Sequence, residues 1–369
     1  MKICFYTDTF LPNVGGTEIV LDNLARQLSR RGESVVVLAP GNGDDVDHGY
    51  PVVRYRKPFS KRVGVRQTLP KLLALHAQHR FDVIHCHSAY PPAYVATTLR
   101  GWFGTPVVVR PHGTDILPGE RIRKHPRLEE RLRETLRSVD AVVAQGEFLQ
   151  EVVSELGVEQ RRIRVIHNGV DLARFANAGA FDHPRPYILA LGNLSHRKGF
   201  DVLLRAYARL SQPRADLIIA GDGAEADALE RLAGELGISG RVRFLGQVEG
   251  QTQVDLYRSA DFFVCPSRRE PFANVILEAL ASGLPVVASS VGGNLQLVND
   301  GVHGLLFPSE DDAGLATAMQ QLIGQPRLIA GMSRSALEFV KDFNWPVVAE
   351  RYLNLYREVL QFRNLARSA

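Results

Sequence analysis

The chain has 369 residues, of which 45% are hydrophobic and 23% charged, and it carries a formal net charge of +4 with three cysteines. That length suits two globular domains of roughly 150–200 residues each, and the composition is that of a soluble protein rather than a fibrous or disordered one. Its longest apolar runs, such as 141–144 and 284–288, fall far short of the ~20 residues that a membrane span needs.

Cys4, Cys86 and Cys265 are scattered, with no C-x-x-C pair, which fits a reducing cytoplasm without a disulfide framework. Met1-Lys2 runs straight into Ile3-Cys4-Phe5-Tyr6 and acidic Asp8, unlike a secretory leader. Residues 1–180 hold 25 Lys and Arg against 19 Asp and Glu, whereas the remainder holds 19 against 21. The excess gathers at Arg54, Arg56, Lys57, Lys61, Arg62 and Arg66, then at Arg121, Arg123, Lys124 and Arg127. These clusters read either as a solvated basic surface or as a face for anionic lipid or an anionic acceptor. They lack interleaved aromatics and any nucleic-acid motif, so no nucleic-acid partner is expected.

In chain order, KICFYTDTF is a first strand. Residues 17–31 form an amphipathic helix with Ile19, Leu21, Leu24, Ala25 and Leu28 on the apolar side, closed by Gly32. SVVVLAP, FDVIHCH, TPVVVRPH, AVVAQ and IRVIHNG repeat the strand theme, with helices between most of them. Apolar strands alternating with helices predict a parallel sheet covered on both faces. Residues 171–186, with Gly179, Pro184 and Pro186, show no period. The theme then restarts with YILALGN, a helix over 199–210, DLIIAGDG, a helix over 224–236 and RVRFLG. A helix near 251–259, DFFVCPS, a helix over 274–282 and LPVVASS complete it. The tail, 345–362, carries Val347, Val348, Tyr352, Leu355, Tyr356 and Val359 at helical spacing. The expected fold is α/β, two Rossmann-like parallel sheets facing a central cleft. The expected boundaries are 1–172 for the first domain, 173–185 for a linker and 186–344 for the second domain. A final helix, 345–369, is expected to pack back on the first domain. Ligands of such sheets bind at the carboxyl ends of the strands.

The segment Glu270-Pro271-Phe272-Ala273-Asn274-Val275-Ile276-Leu277-Glu278 follows a strand and opens a helix. Backbone N–H groups around Phe272 to Val275 stand at the helix amino end, a site for diphosphate oxygens. Carboxylates on both sides of such a cradle suit a ligand with hydroxyls at both ends. The spacing equally allows a dipole-favouring Glu270 and a solvent-facing Glu278. Lys198 beside Gly199 sets a cation at a loop-to-helix junction, where it would meet negative charge growing on a departing diphosphate; a surface turn carries such residues too. Gly15-Gly16 sits between the first strand and helix, with Thr17 as a candidate N-cap, and reads as a close-approach loop or a plain turn. No GxGxxG is present, which weakens a dinucleotide reading. His85 and His87 share one strand face but lack further ligands at metal spacing, so a structural or cleft-lining role is expected and no metal.

Taken together, VGGTE, DVIHCH, His112-Gly113, VIHNGVDLARF, LGNLSHRKGFDVLL, IAGDGAE, RVRFLGQV, SRREPFANVILEALASGLPVVASSVGGN and DGVHGLLFP resemble the retaining glycosyltransferases of the GT-B fold. They match family 4, the glycosyl transferases group 1, over nearly the whole chain. The resemblance implies that Glu270 binds donor-sugar hydroxyls and supports positive charge at the anomeric carbon, while Glu278 binds the ribose. It sets His112 beside the donor sugar, with Asp115 a weaker candidate. It sets Gly16 by the donor phosphates and the acceptor, and Gln247 and Val248 at the nucleobase through backbone groups. Asn193 stands where the family usually has an arginine that pairs with Lys198, leaving Arg197 as the substitute. Gln296 stands two residues beyond Gly292-Gly293-Asn294, where the family often has Glu.

The expected function is transfer of a hexose-type sugar from a nucleoside-diphosphate sugar to an acceptor hydroxyl, in glycan, lipopolysaccharide or glycolipid synthesis. The catalytic set is Glu270, His112 and Lys198. The donor set is Gly16, Asn193, Arg197, Lys198, Gln247, Val248, Glu270, Pro271, Phe272, Ala273, Asn274, Val275 and Glu278. No cofactor is expected. The acceptor is expected to be a glycan, a lipid-linked or a small molecule. The expected location is the cytoplasm, with peripheral contact at the inner face of the cytoplasmic membrane. The rival readings are a sugar-nucleotide epimerase or a phosphorylase on the same fold, a non-catalytic nucleotide-sugar binder, and a nicotinamide dehydrogenase.

Overall fold

The computed structural model describes the chain except residues 13–14, 42–46, 57–60, 178, 212–213 and 369, and except the side chains of 61–66, 101 and 364–368. Lys57 and Val14 of the motifs above therefore lie outside the described residues, as do the side chains of Lys61, Arg62 and Arg66. The chain forms two compact units, Met1–Asn168 with Trp345–Ala369, and Gly169–Asn344.

The first unit is built from β1 (Lys2–Thr7), α1 (Gly16–Arg30), β2 (Ser34–Pro40), β3 (Val52–Tyr55), α2 (Lys61–His79) and β4 (Val83–His87). It continues with α3 (Tyr94–Phe103), β5 (Val107–Arg110), α4 (Pro126–Ser138), β6 (Ala141–Ala144), α5 (Glu147–Glu155) and β7 (Ile163–Val165). The sheet order is β3-β2-β1-β4-β5-β6-β7, all parallel. Side chains alternate across each strand, so Cys4, Tyr6, Ile84 and Val109 enter one core while Ile3, Phe5, Val83 and Val108 enter the other. In α1, Leu21, Leu24, Ala25 and Leu28 are fully buried; each leucine contributes roughly 1.5–3 kcal/mol of burial. Ile19 does not join them. It is 42% exposed, because two residues rotate a helix by about 200° and carry position 19 to the far side from Leu21. Val20 is buried instead.

The second unit contains α6 (Leu172–Ala176), β8 (Tyr187–Leu191), α7 (Phe200–Ala208), β9 (Asp216–Ala220), α8 (Ala226–Glu235), β10 (Val242–Phe244) and α9 (Gly250–Ser259). It continues with β11 (Phe262–Cys265), α10 (Asn274–Ala281), β12 (Val286–Ser289), α11 (Asn294–Leu297), β13 (Gly304–Phe307), α12 (Asp312–Leu322) and α13 (Pro326–Phe339). Its sheet order is β10-β9-β8-β11-β12-β13, again all parallel. Two cores flank it, one holding Leu189, Phe263 and Leu277, the other Ile188, Leu203 and Phe262.

The last helix, α14 (Trp345–Ser368), returns to the first unit. Val348, Tyr352, Leu355, Tyr356 and Val359 are buried there, Arg31 pairs with Glu350, and His85 Nδ1 lies 2.7 Å from the Tyr356 hydroxyl. Val347 is 38% exposed and does not belong to the stripe.

The segment read as a linker, 173–185, is part of the second unit. Asp171 caps α6 by accepting the Arg174 N–H at 3.2 Å, Phe175 is buried against the Tyr257 ring, and the Gly179 N–H donates to Asp255 at 2.6 Å. A five-residue helix is too short to show a period, and Gly179, Pro184 and Pro186 beyond it read as loop. Among the described residues, no helix is long and apolar enough to cross a membrane.

Candidate functional site: the carboxyl ends of two sheets

In the second unit the strand order reverses between β8 and β11. Helices leave these neighbours toward opposite faces, so the loops after them splay apart and leave room for a ligand. Those loops are 192–199 and 266–273. Gly199 has φ +68°, and a Cβ there would stand 2.1 Å from the Pro266 carbonyl oxygen, so the two loops meet where only glycine fits. The Arg268 N–H donates to the Arg197 carbonyl at 2.8 Å. The Arg268 guanidinium donates to the His196 carbonyl at 2.7 Å and is gripped by Asp201 and Glu310, which holds it firmly charged.

This clamp brings Lys198 and Glu270 together. The Lys198 ammonium donates to Glu270 Oε2, and the Ser267 hydroxyl donates to the same oxygen at 3.3 Å. Glu270 is only 5% exposed, a burial that an unpaired carboxylate would not tolerate. The turn after β12 closes behind it. Gly293 N–H donates to the Glu270 carbonyl at 2.8 Å, and a Cβ at Gly293 would stand 2.4 Å from the Pro271 oxygen. The buried Asn294 amide holds that turn through Ser289. Gln296, two residues on, keeps a buried Oε1 without a partner.

Helix α10 starts at Asn274. Its N-cap, Ala273, supplies no side-chain acceptor to the positive end of the helix dipole. Pro271, Phe272 and Ala273 are buried, and Asn274 and Val275 half-buried. Glu278, one turn inside, is not the solvent-facing glutamate that spacing alone allowed. Its Oε2 accepts the Tyr257 hydroxyl at 2.9 Å and the Gln253 amide at 3.0 Å, and burial raises its pKa. Asn193 is exposed and donates to the Asp222 carbonyl at 3.2 Å, while Arg197 stands exposed beside Lys198. Gln247 is exposed with its amide turned to Glu249, and Val248 packs against the core.

The remaining candidates, His112 and Gly16, belong to the first unit. Gly16 is the first residue of α1, and the N-cap is Gly15 rather than Thr17. Its neighbour Glu18 turns back to accept from Thr9 Oγ1. His112 follows β5. Its N–H donates to Asp115 Oδ1 at 2.8 Å, and Asp115 Oδ2 accepts the Ala89 N–H at 2.7 Å, so Asp115 is a brace. The His112 ring stands 5.3 Å from that of His87, its Nδ1 lies 3.4 Å from the Arg110 guanidinium, and its buried Nε2 has no protein partner. Burial, then Arg110 and His85, push its pKa well below the usual value, so the ring is neutral. His85 and His87 are fully buried and likewise held neutral. Among the described residues no group of three or more His, Cys, Asp or Glu is placed to hold a metal ion.

Sequence reading missed Ser267, Arg268, Tyr257 and Gln253, which position the two glutamates, and Arg110, which flanks His112 and is held by Asn168. Ser267 and Arg268 adjoin Glu270 and were within reach. Tyr257 and Gln253 come from a different helix, and no local pattern points to them.

The chain matches two family descriptions, Glycosyltransferase Family 4 over residues 14–174 and Glycosyl transferases group 1 over residues 173–338. It is 30% identical to a lipopolysaccharide core biosynthesis glycosyltransferase of Rhizobium meliloti, covering 92% of this chain and 95% of that one. It is 31% identical to a phosphatidyl-myo-inositol mannosyltransferase of Mycolicibacterium smegmatis, covering 94% and 90%. An Anabaena protein crystallised with UDP shares the fold with a TM-score of 0.82 at 22% identity, covering 97% of this chain and 100% of that one. The two doubly wound units thus have their counterpart in one large enzyme group: the chain belongs to the glycosyltransferases of family 4 and group 1.

Proposed function

We propose that this glycosyltransferase moves a hexose-type sugar from a nucleoside-diphosphate sugar to an acceptor hydroxyl, with retention of anomeric configuration, in glycan, lipopolysaccharide or glycolipid synthesis. The observation that carries the reading is the Lys198–Glu270 pair beside the amino end of α10, whose N-cap residue has no side-chain acceptor. A diphosphate can take the ammonium and the helix end, leaving the Glu270 carboxylate for the sugar. Glu278, already oriented by Tyr257 and Gln253, offers its other oxygen to ribose hydroxyls. Gln247 and Val248 meet the base.

In the proposed step the bond from the anomeric carbon to the diphosphate breaks, its electron pair going to the phosphate oxygen. Lys198, Arg197 and the α10 N–H groups stabilise that growing charge, and Glu270 stabilises the positive charge on the sugar. The acceptor oxygen bonds to the anomeric carbon and its proton leaves with the diphosphate. The side chains and the helix end act in place of a metal ion. The first unit presents the acceptor, with Gly16 near the phosphates and the neutral His112 ring free to hydrogen-bond a sugar hydroxyl through Nε2. The enzyme works in the cytoplasm, and its basic clusters suit an anionic or lipid-linked acceptor at a membrane face.

The test is a thermal-shift screen with UDP, GDP, ADP and their sugars, followed by a transfer assay with the donor found. A ligand at a hundred times its Kd adds about 2.7 kcal/mol to stability. Donor conversion without acceptor would make the protein an epimerase, and binding without transfer or hydrolysis would make it a sensor.

A further inference from the structure

A second pocket, of about 520 Å³, lies wholly within the first unit. Its walls come from the amino ends of β6 and β7 and from α14. In a parallel sheet this edge is opposite the carboxyl ends that carry His112, so the pocket is separate from the residues discussed above. Its volume is in the range of small-molecule sites.

Five arginines line it, Arg100, Arg161, Arg162, Arg164 and Arg363, against two carboxylates, Asp140 and Glu358. Asp140 is shared. Its Oδ1 lies 3.1 Å from Arg100 and 3.3 Å from Arg363, and its Oδ2 accepts the Val107 N–H at 2.8 Å. Glu358 is taken by Arg164 at 3.0 Å, and nearby Glu159 by Arg161 at 2.5 Å. Arg162 is left with backbone carbonyls of Arg137 and Val139 and with Glu159 at 3.9 Å. Three carboxylates thus serve five guanidiniums. The crowding is felt at Arg100, whose pKa is lowered by burial and, beyond the opposing pull of Asp140, by the charges of Arg363 and Arg162. The other wall is apolar. Leu355 and Val359 are buried, and Phe362 is 68% exposed at the rim.

We propose that this pocket binds a phosphate monoester, its oxygens held by Arg100, Arg162 and Arg363 and its carbon part laid against Leu355, Val359 and Phe362. Planar guanidiniums grip phosphate oxygens in pairs, and a doubly charged group would balance the surplus of positive charge. A lipid headgroup and a soluble metabolite both offer this chemistry.

Two arms separate the sources, both with the full chain. One measures co-sedimentation with vesicles of phosphatidic acid in phosphatidylcholine, the other calorimetric titration with glycerol 3-phosphate. At least one arm shows binding, weakened tenfold or more by Arg162→Gln with Arg363→Gln and by Phe362→Glu. Arg231→Glu, an exposed position on α8 of the second unit, changes it less than twofold. Phe362 is exposed enough that its replacement leaves folding intact, so the test survives if the double arginine variant fails to fold. Binding in the vesicle arm alone identifies a lipid phosphate, and binding in the titration identifies a soluble one. No binding in either arm, or binding that Phe362→Glu leaves unchanged, overturns the proposal.

Discussion

The two sheets carry the same winding and end in opposite electrostatics. At the carboxyl ends of β8 and β11 a buried glutamate and a half-buried lysine form a charged pair, next to a helix whose N-cap residue, Ala273, has no side-chain acceptor. Around the carboxyl ends of β4 and β5, His85 and His87 are buried, His112 is half-buried and all three are neutral, with the buried Arg110 held by Asn168 rather than by a carboxylate. Topology made both places available. Side chains decided that one would meet a charged group and the other would offer uncharged hydrogen-bonding rings.

The comparison breaks most readily at the charged end. Glu270→Gln or Lys198→Ala lowers kcat by ~10²-fold or more in a transfer assay, the scale of losing one preorganised electrostatic group. Near-normal turnover by either folded variant would remove the catalytic meaning of the pair. Stability separates catalysis from folding. Lys198→Ala strands a buried carboxylate and costs about 2 kcal/mol by urea unfolding, below the full cost of breaking a buried pair because Lys198 is partly solvated. The double change to Lys198→Met with Glu270→Gln recovers to within about 1 kcal/mol of the parent while turnover stays lost.

The neutral end is sharpened by pH. The folded-state pKa values of His85, His87 and His112 lie below the unfolded value. The unfolded chain therefore binds more protons in acid, and the stability these rings contribute is complete above about pH 6.5 and is lost as pH falls below it. The groups facing them are Arg110, Tyr352, Tyr356 and Asp115, and Arg110 deepens the effect. Each ring that stays neutral costs about 1.4 kcal/mol per pH unit, and His87→Phe flattens the midpoint-against-pH curve by one such contribution. A curve unchanged by His87→Phe would show that the ring does not stay neutral. The smallest expected effect is at Glu278. Tyr257→Phe removes one hydrogen bond, about 1 kcal/mol, and weakens nucleotide binding a few-fold without changing kcat.

Much of this was legible in the chain itself. Continuous apolar runs gave the strands and the period of 3.6 most helices, because parallel strands covered on both faces carry no polar alternation. Ile19 and Val347 failed on helical phase: each is apolar but lies off the stripe that its neighbour, Val20 or Val348, joins. The segment 173–185 failed because α6 is held by tertiary contacts from α9, not by its own composition. Glu270, Lys198 and Glu278 were legible as a motif. Their braces were only partly so: Arg268 lies in the same loop as Glu270, but Tyr257 reaches Glu278 across 21 residues. The neutrality of His112 was not legible, since it follows from burial beside Arg110.

The most direct test of the central claim is calorimetric titration of the wild type and Lys198→Ala with UDP, GDP and ADP and with the matching nucleosides. One diphosphate is expected to bind, and Lys198→Ala is expected to weaken it tenfold or more while leaving the matching nucleoside unchanged. Equal affinity of the two proteins for that diphosphate would contradict the account.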